Sequence, residues 1–282
     1  MSNTFGEHLR SWRRRRRLTQ MELAFRVEVS PRHLGFVELG RASPSRALVL
    51  RLAEELDVPL RERNVWLIAC GLAPIFPDRP LADPTLAAVR SAIDLTLAAH
   101  RPFPAFALDR HWNVVASNGA VPELYDSVDD SLLAPPVNVL RLCLHPRGLA
   151  PRIRNLAEWT HHLLRRLDRE FELTADPALS ALQEEAKQYR RQMSRPPSAG
   201  QAPQIAIPLR IATSLGDLAF FSTVSVFGTA VDVTLSEIAL ELFYPADEAT
   251  RQAVMRASCN EAGARAEELV GGERLELPTS SV

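Results

Sequence analysis

The sequence predicts two different folded parts, an all-α N-terminal part of five helices and a C-terminal α+β part with an antiparallel sheet. Helix caps and apolar residues at helical spacing recur through the first 75 residues. Residues 72–84, "LAPIFPDRPLADP", contain four prolines and indicate a boundary. Beyond them, strand-type alternation occurs near residue 105 and after residue 205, with helical patterns between. We predict a domain over 1–75, a proline-rich linker over 76–84, a second domain over 85–270 and a disordered tail over 271–282.

The charges are unevenly distributed between these parts. The chain of 282 residues has a formal net charge of -1, but residues 1–75 hold 13 Lys and Arg against 8 Asp and Glu, a net of +5. The remaining residues have a net of -6. A basic N-terminal part favours a polyanionic partner such as double-stranded DNA.

Cysteine usage and hydropathy bear on the compartment. The three cysteines, Cys70, Cys143 and Cys259, are too few and too scattered for a disulfide framework. No charged leader with an apolar stretch precedes the first helix, and no apolar run approaches the roughly 20 residues that cross a bilayer. The sequence predicts a cytoplasmic protein with no membrane association.

The first helix is predicted from about Thr4 to Arg17. Phe5, Leu9 and Trp12 recur on one face, and the five consecutive arginines, Arg13 to Arg17, are placed outside that face. Arginines in this position would bind DNA phosphates. The alternative is that the run is only a solvated helix face.

Cap signals place four further helices in the N-terminal part. The third helix ends before Gly40, which supplies the left-handed stop. The predicted starts are Thr19 with Glu22 as a capping box, Ser30 with Pro31, Ser43 with Pro44 and, for the fifth helix, about Leu60. A short second helix, a tight turn and a third helix with small and polar N-terminal residues describe a helix-turn-helix domain that reads DNA.

Arg32, on the third helix, is the residue best suited to read a base. A guanidinium group can bridge O6 and N7 of guanine, a contact worth about 1 to 3 kcal/mol of discrimination. Arg41 and Arg46 are better placed to contact the DNA backbone, which positions the protein without specifying sequence.

The C-terminal part begins with a helix and two short strands. The strands are predicted over 103–108 and 112–117, joined by a turn at Asp109-Arg110. Helices are predicted over 152–171 and 177–192, and a strand-rich block follows from Ile205. Residues 238–242 alternate as a strand would, but they also fit a helix.

Four stretches of the chain carry a resemblance that covers nearly its whole length. They are "RHLGFVELGRASPSRALVLRLAEELDVPLRERN", "PAFALDRHWNVVASN", "PPVNVLRLCLHPRGLAPRIRNLAEW" and "FGTAVDVTLSEIALELFYPAD". In this order they resemble bacterial transcriptional regulators that join an XRE-family helix-turn-helix domain to an MmyB-like ligand-binding domain. The resemblance implies that the second domain is PAS-like and binds a small apolar molecule, with fatty acids as the leading class.

The same resemblance implies the DNA contacts. The Gln of the family's "LTQ" motif, here Gln20, holds a phosphate, and the exposed positions of the third helix face the major groove. Those positions are Ser30, Pro31, Arg32, Gly35 and Phe36. Gly35 departs from relatives, which usually carry Ser there, and glycine weakens the helix by about 0.5 to 1 kcal/mol. Glu38 matches a family position that is largely structural.

A sensor domain would contain an apolar cavity with a few convergent polar groups. Arg141 is the candidate to pair with the carboxylate of a fatty acid, and Trp159, Phe220 and Phe227 are candidates to line its tail. The other candidates are Asn118, His145 and Asn155. The alternative is ordinary structure, with Asn118 as a cap, Arg141 in a salt bridge and the aromatic residues in the core.

Markers of catalysis are missing from the sequence. It contains no G-x-S-x-G, P-loop or G-x-G-x-x-G motif. Cys143 lies two residues from His145, but no second spaced pair accompanies them, as structural zinc requires. We predict no catalytic residues, no metal and no cofactor, with a bound fatty acid only as an effector.

The predicted function is a DNA-binding transcriptional regulator that responds to a small apolar ligand. A homodimer is expected, because two recognition helices about 34 Å apart read a palindromic operator better than one. The alternative is a protein-interaction module tethered to DNA, which would present an exposed apolar patch in place of an enclosed cavity.

Overall fold

The N-terminal part folds into five helices around one core, as predicted. The helices are α1 (Phe5–Arg15), α2 (Gln20–Arg26), α3 (Pro31–Glu38), α4 (Arg46–Glu55) and α5 (Leu60–Ala69). The computed structural model describes residues 4–192 and 206–271 of the chain. At the centre of this core the fully buried Trp66 lies edge-on to Phe5, with ring centroids 5.4 Å apart.

Side-chain caps explain where the second and third helices begin. The Thr19 hydroxyl accepts from the backbone N–H of Glu22, whose carboxylate accepts from the N–H of Thr19. Ser30 accepts from the N–H of His33, and Pro31 occupies the first helical position. Each cap satisfies donors that the helix itself leaves unpaired.

The predicted start of the fourth helix was wrong by two residues. Ser45, not Ser43, accepts from the N–H of Leu48, so α4 begins at Arg46. Both serines are possible caps by type, and Leu48 and Leu52, which follow the observed start, are buried in the core.

The C-terminal part contains the predicted antiparallel sheet. Its strands are β1 (Ala105–Leu108), β2 (Val114–Ser117), β3 (Leu209–Thr213), β4 (Gly216–Val226) and β5 (Ala239–Pro245), in the order β2-β1-β5-β4-β3. Phe106 pairs with Ser117 across the first hairpin, and Leu209 with Phe220 across the second. The last strand in the sequence is therefore the centre of the sheet. The predicted fold class, an all-α part followed by an α+β part, is confirmed.

The remaining α-helices precede, separate and follow the strands along the chain. They are α6 (Ala87–Ala99), α7 (Asp130–Leu133), α8 (Val139–Leu144), α9 (Leu156–Thr174), α10 (Pro177–Gln192), α11 (Val233–Ser236) and α12 (Glu248–Gly271). Residues 238–242, which fitted either a strand or a helix, belong mainly to β5. The predicted strand position Ile205 and the tail from residue 272 lie outside the described residues.

The turn between β1 and β2 is longer than predicted. Trp112, placed in the second strand by its sequence, is buried in the turn with φ of 67°. The Asp109 carboxylate accepts from the backbone N–H groups of His111 and Asn113, which fixes the turn, and β2 starts only at Val114.

The described residues form two compact units that do not follow the order of the chain. One unit contains residues up to 90 together with 163–187 and 226–239, and the other contains the remaining residues. The first unit therefore combines α1 to α5 with the later part of α9, most of α10 and α11. The domain boundaries at residues 75 and 84 stay a prediction.

Candidate DNA interface and ligand-binding segment

The third helix presents its predicted DNA-reading residues on its outer side. Ser30, Pro31, Arg32 and Phe36 are exposed, and Gly35 is half-buried. The guanidinium carbon of Arg32 lies 5.5 Å from the centroid of the Phe36 ring, one helical turn further on. This cation–π contact supports the long Arg32 side chain over the exposed face of α3.

Two further predicted contacts flank this face. Arg41 lies in the loop that follows α3, and Arg46 is the first residue of α4. Both are exposed. Their placement is compatible with the backbone contacts predicted for them, which stay a prediction.

A buried ion-pair network lies at the end of α3. The Glu38 side chain is 1% exposed. Its carboxylate accepts from Nε and Nη2 of Arg13, at 2.6 and 3.1 Å, and from Nε2 of Gln20 at 2.8 Å. Arg10 lies 3.6 Å from the same carboxylate. Gln20, predicted to hold a phosphate, thus also connects the start of α2 to the end of α3.

The electrostatics of this network favour the ionised carboxylate. Burial alone would raise the pKa of Glu38, but the hydrogen bonds from Arg13 and Gln20 and the charges of Arg13 and Arg10 outweigh it and lower that pKa. Glu38 is therefore charged at neutral pH and holds α1, α2 and α3 in fixed register.

The arginine run is not the free phosphate-binding surface that the sequence suggested. Arg13 belongs to the buried network, and its side chain is only 11% exposed. Arg15 donates to the backbone carbonyl of Phe171 at 3.2 Å, near the end of α9. Arg16 donates to the carbonyl of Leu56 at 2.8 Å. Three of the five guanidinium groups therefore bind other parts of the protein.

Helical spacing contains a signal for this that the sequence interpretation missed. Arg13 is four residues after Leu9, and Arg16 is four residues after Trp12, so both continue the buried face of α1. Arg15 and Arg16 also lie over the Trp12 ring, at 5.9 and 5.1 Å. The exposed members of the run are Arg14 and Arg17.

The side chain of Asn118, the first ligand candidate, makes four hydrogen bonds to backbone groups. Its side-chain oxygen accepts from the backbone N–H groups of Ala105 and Ala120. Its amide donates to the carbonyls of Leu97 and Phe103, at 3.2 and 2.8 Å. These four bonds join α6 to both strands of the first hairpin and use the full capacity of the side chain.

The other polar candidates lie in different environments. Arg141 is exposed on α8. The His145 ring is edge-on to Tyr189, with centroids 5.0 Å apart. The Asn155 side chain accepts from the N–H of Arg210 at 3.1 Å and so holds β3.

The aromatic candidates are divided between the two units. Trp159 and Phe220 are fully buried in the second unit, whereas Phe227 is half-buried and belongs to the first. The contacts therefore assign most of the seven candidates to packing, and their role in ligand binding stays a prediction.

Burial strongly perturbs two groups of this segment, Cys143 and Tyr125. Burial raises the pKa of the Cys143 thiol to about 12, and the charge of Glu241 adds to this effect. Burial also raises the pKa of Tyr125 to about 12. Cys143 is therefore a neutral thiol at physiological pH, which is neither nucleophilic nor suited to bind a metal.

One cleft among the described residues of the second unit is small. A cleft lined by residues that include Arg101, Gly119 and Val254 has a volume of about 30 Å³, enough for water but not for an alkyl chain. Within the described ranges, 4–192 and 206–271, no three His, Cys, Asp or Glu side chains lie close enough together to hold a metal ion. None of the helices in these ranges has the length and apolar character needed to span a bilayer.

Comparison with known families matches both parts of the chain. Residues 4–66, covering α1 to α4 and part of α5, match a helix-turn-helix domain family. Residues 89–257, more than half of the chain, match the family described as the MmyB-like transcription regulator ligand binding domain. The chain belongs to this MmyB-like family. This MmyB-like regulator therefore combines a helix-turn-helix domain with a domain of the ligand-binding type found in MmyB-like transcription regulators.

Part of the chain is also similar to a protein of Candida albicans. Multiprotein-bridging factor 1 of Candida albicans is 37% identical over 60 residues, which is 21% of this chain and 40% of that protein. The chain thus spans about two fifths of the length of this curated relative.

Thiol labelling of the MmyB-like regulator is expected to distinguish its cysteines by their reactivity. Cys259 is exposed and should react first with a thiol reagent such as iodoacetamide at neutral pH. Cys143 should react only on unfolding, because its buried thiol is not ionised. Peptide mass spectrometry of the labelled native protein checks this order, and rapid native labelling of Cys143 would contradict the described packing of α8.

Proposed function

We propose that this MmyB-like regulator reads a specific operator with α3 and changes its DNA affinity when a small apolar molecule, such as a fatty acid, binds within residues 89–257. The proposal that the protein reads DNA is based on the exposed face of α3. On this face Phe36 supports the Arg32 side chain, and buried Glu38 holds the end of the helix. A braced recognition helix presents its base-reading groups with little ordering cost on binding.

A homodimer is part of this proposal. One helix-turn-helix domain covers one half-site, and two copies place their recognition helices about 34 Å apart on a palindrome. The net charge of +5 on residues 1–75 attracts each copy to DNA, and α3 recognises the operator sequence.

Arg32→Ala is expected to relax sequence choice at one base pair of each half-site. Loss of a bidentate guanine contact costs about 1 to 3 kcal/mol at that position and leaves binding to unrelated DNA almost unchanged. Fluorescence anisotropy with operator variants and with random duplex measures both effects.

The matched comparison is the double replacement of Arg14 and Arg17 by alanine. These exposed arginines are expected to act on phosphates, so their loss should weaken all duplexes alike and flatten the salt dependence by about one unit for each arginine. An Arg32→Ala protein that keeps the wild-type sequence preference would overturn the role assigned to Arg32.

The ligand class rests on the resemblance to the family and on the apolar interior of the matched segment. Trp159 and Phe220 supply large buried apolar surface there. The cleft of about 30 Å³ is too small for an acyl chain, so this proposal places the ligand elsewhere in the segment or requires side chains to move apart on binding. Ligand-dependent opening of this kind is a population shift toward a minor state.

Native mass spectrometry of the purified full chain, followed by denaturation and solvent extraction, tests this proposal. A dimer mass with an extractable apolar adduct supports both the effector and the homodimer. A protein that carries no adduct and shows no binding of added fatty acids in titration would overturn the fatty-acid assignment while leaving DNA binding intact.

A protein-interaction role is the second candidate. Val224 and Val226 lie on the same face of β4, 48% and 64% exposed, and the relative from Candida albicans is named a multiprotein-bridging factor. This candidate predicts a partner-dependent complex without any small-molecule adduct. The same native spectra therefore discriminate between the two candidates.

A further inference from the structure

The segment that follows α5 is fixed to that helix. Asn64 of α5 donates through its amide to the carbonyl of Phe76 at 2.7 Å. The Asn64 side-chain oxygen accepts from the backbone N–H groups of Ile75 and Phe76, both at 3.2 Å. Residues 75–79, which we name the strap, are therefore held in place where the sequence suggested a boundary.

The strap is also bound on its other side by α11. The backbone N–H of Val233 donates to the carbonyl of Pro77 at 2.8 Å, and the Thr234 hydroxyl donates to the carbonyl of Arg79 at 2.6 Å. α11 itself packs against α5. The strap thus connects a helix of the DNA-binding domain with a helix of the matched ligand-binding segment, and all of these residues lie within the first unit.

Arg61 of α5 binds two carboxylates at this junction, those of Glu237 and Asp78. Its Nε and Nη2 donate to the two carboxylate oxygens of Glu237 at 2.8 and 2.9 Å. Its Nη1 and Nη2 donate to Asp78 of the strap at 2.5 and 3.1 Å. The Arg61 and Glu237 side chains are 29% and 18% exposed, so solvent screens this pair only in part. Only a planar guanidinium can bridge both carboxylates in this way.

Glu237 lies just before the central strand of the sheet in the sequence. It follows α11 directly, and β5 begins two residues later at Ala239. β5 lies between the two hairpins of the sheet in the ligand-binding segment. Only Ile238 separates the first residue of β5 from the residue whose carboxylate binds Arg61.

We propose that Arg61 is the residue that couples β5 of the ligand-binding segment to the DNA-binding helices, through its joint grip on Glu237 and Asp78. This inference rests on the function proposed above, because it supplies the physical connection between effector and operator. Coupling is reciprocal: if the state of β5 changes DNA affinity, DNA must change the state of α11 and β5 by the same free energy. DNA alone can therefore serve as the probe, without an identified effector.

The test is hydrogen-deuterium exchange of residues 232–245 in the full chain, with and without saturating random-sequence DNA duplex at low salt. DNA is expected to change amide exchange in this segment by about fivefold or more in the wild type, the lower end of usual coupling. Arg61→Gln and, independently, Glu237→Gln should abolish the DNA-dependent change. Arg61→Lys, which keeps the charge but cannot bridge both carboxylates, should retain only part of it.

Arg154→Gln is the matched control. Arg154 and Asp217 form a guanidinium–carboxylate pair at 2.9 Å, 59% and 62% exposed, within the second unit. This variant should respond to DNA as the wild type does. A purely local structural role of Arg61 would speed exchange in 232–237 without DNA but would leave the DNA-dependent change in place.

Each outcome decides the proposal. A response in the wild type and Arg154→Gln that is lost in Arg61→Gln and Glu237→Gln supports it. A wild type that binds DNA with no change over 232–245, or an equal change in Arg61→Gln, overturns it. Anisotropy of the same duplex reports DNA binding separately, so a wild type that does not bind DNA would instead refute the proposed function and, with it, this coupling.

Discussion

Glu38→Gln is expected to lower the free energy of unfolding of the N-terminal domain by about 3 kcal/mol. Removing one partner of a buried ion pair typically costs about 3 to 5 kcal/mol, because the other charge stays buried and uncompensated. Here that charge is Arg13, 11% exposed, and Gln20 loses its charged acceptor as well. Denaturant unfolding followed by tryptophan fluorescence measures the loss.

Glu55→Gln provides the control for this prediction. The pair of Glu55 with Arg26 has a similar distance, 2.9 Å, but its side chains are 31% and 52% exposed. Its removal should cost less than about 1 kcal/mol. Equal losses in the two variants would contradict the burial and the bracing role assigned to Glu38.

The Glu38 network also predicts a dependence on pH. A lowered carboxyl pKa in the folded protein contributes stability that is present above the ordinary glutamate value, about 4.3, and is lost as the pH falls through the lowered pKa. Stability of the wild type should therefore fall in acid more steeply than that of Glu38→Gln. The two proteins should approach each other in stability at low pH.

Gly6→Ala is expected to produce the second large loss. A Cβ atom at this position of α1 would lie well inside van der Waals contact with the backbone carbonyl of Glu38, where α1 and α3 cross. Backbone cannot rotate away as a side chain can, so the helices must separate, at a cost near the upper end of the usual 1 to 3 kcal/mol for overpacking. The displaced α3 should also bind DNA more weakly.

Gly35→Ala is the matched substitution on the recognition helix. Its Cβ would meet only the Gln20 side chain, with the nearest atom at 3.6 Å, an ordinary contact. Alanine in place of a helical glycine should stabilise the domain by about 0.5 to 1 kcal/mol. A Gly6→Ala protein as stable as the wild type would contradict the close crossing of α1 and α3.

The helices of the DNA-binding domain could be predicted because their signals are local. A capping residue such as Thr19 or Ser30 acts within three residues of chain, and Gly40 ends α3 by its own backbone preference, with φ of 70°. The misplacement of the α4 start shows the limit of that rule, since Ser43 and Ser45 both suit a cap by type and Ser45 is the one that accepts from the N–H of Leu48.

The role of the arginine run could not be predicted by counting charges. Arg13 and Arg16 find acceptors in α3 and at the end of α4, which are distant in sequence. The hydrogen bonds of two ligand candidates could not be predicted for a related reason. Polar type and sequence position suggested Asn118 and Asn155, but their amides are needed by backbone groups that only the folded sheet brings close.

In vitro selection of duplex DNA by the full-length wild-type chain, followed by sequencing, tests most directly whether the protein reads an operator as a homodimer. We expect enrichment of a defined motif with two inverted half-sites whose centres are about one helical turn apart. A selected pool that stays as random as the input, under salt conditions in which the protein still binds DNA, would contradict it.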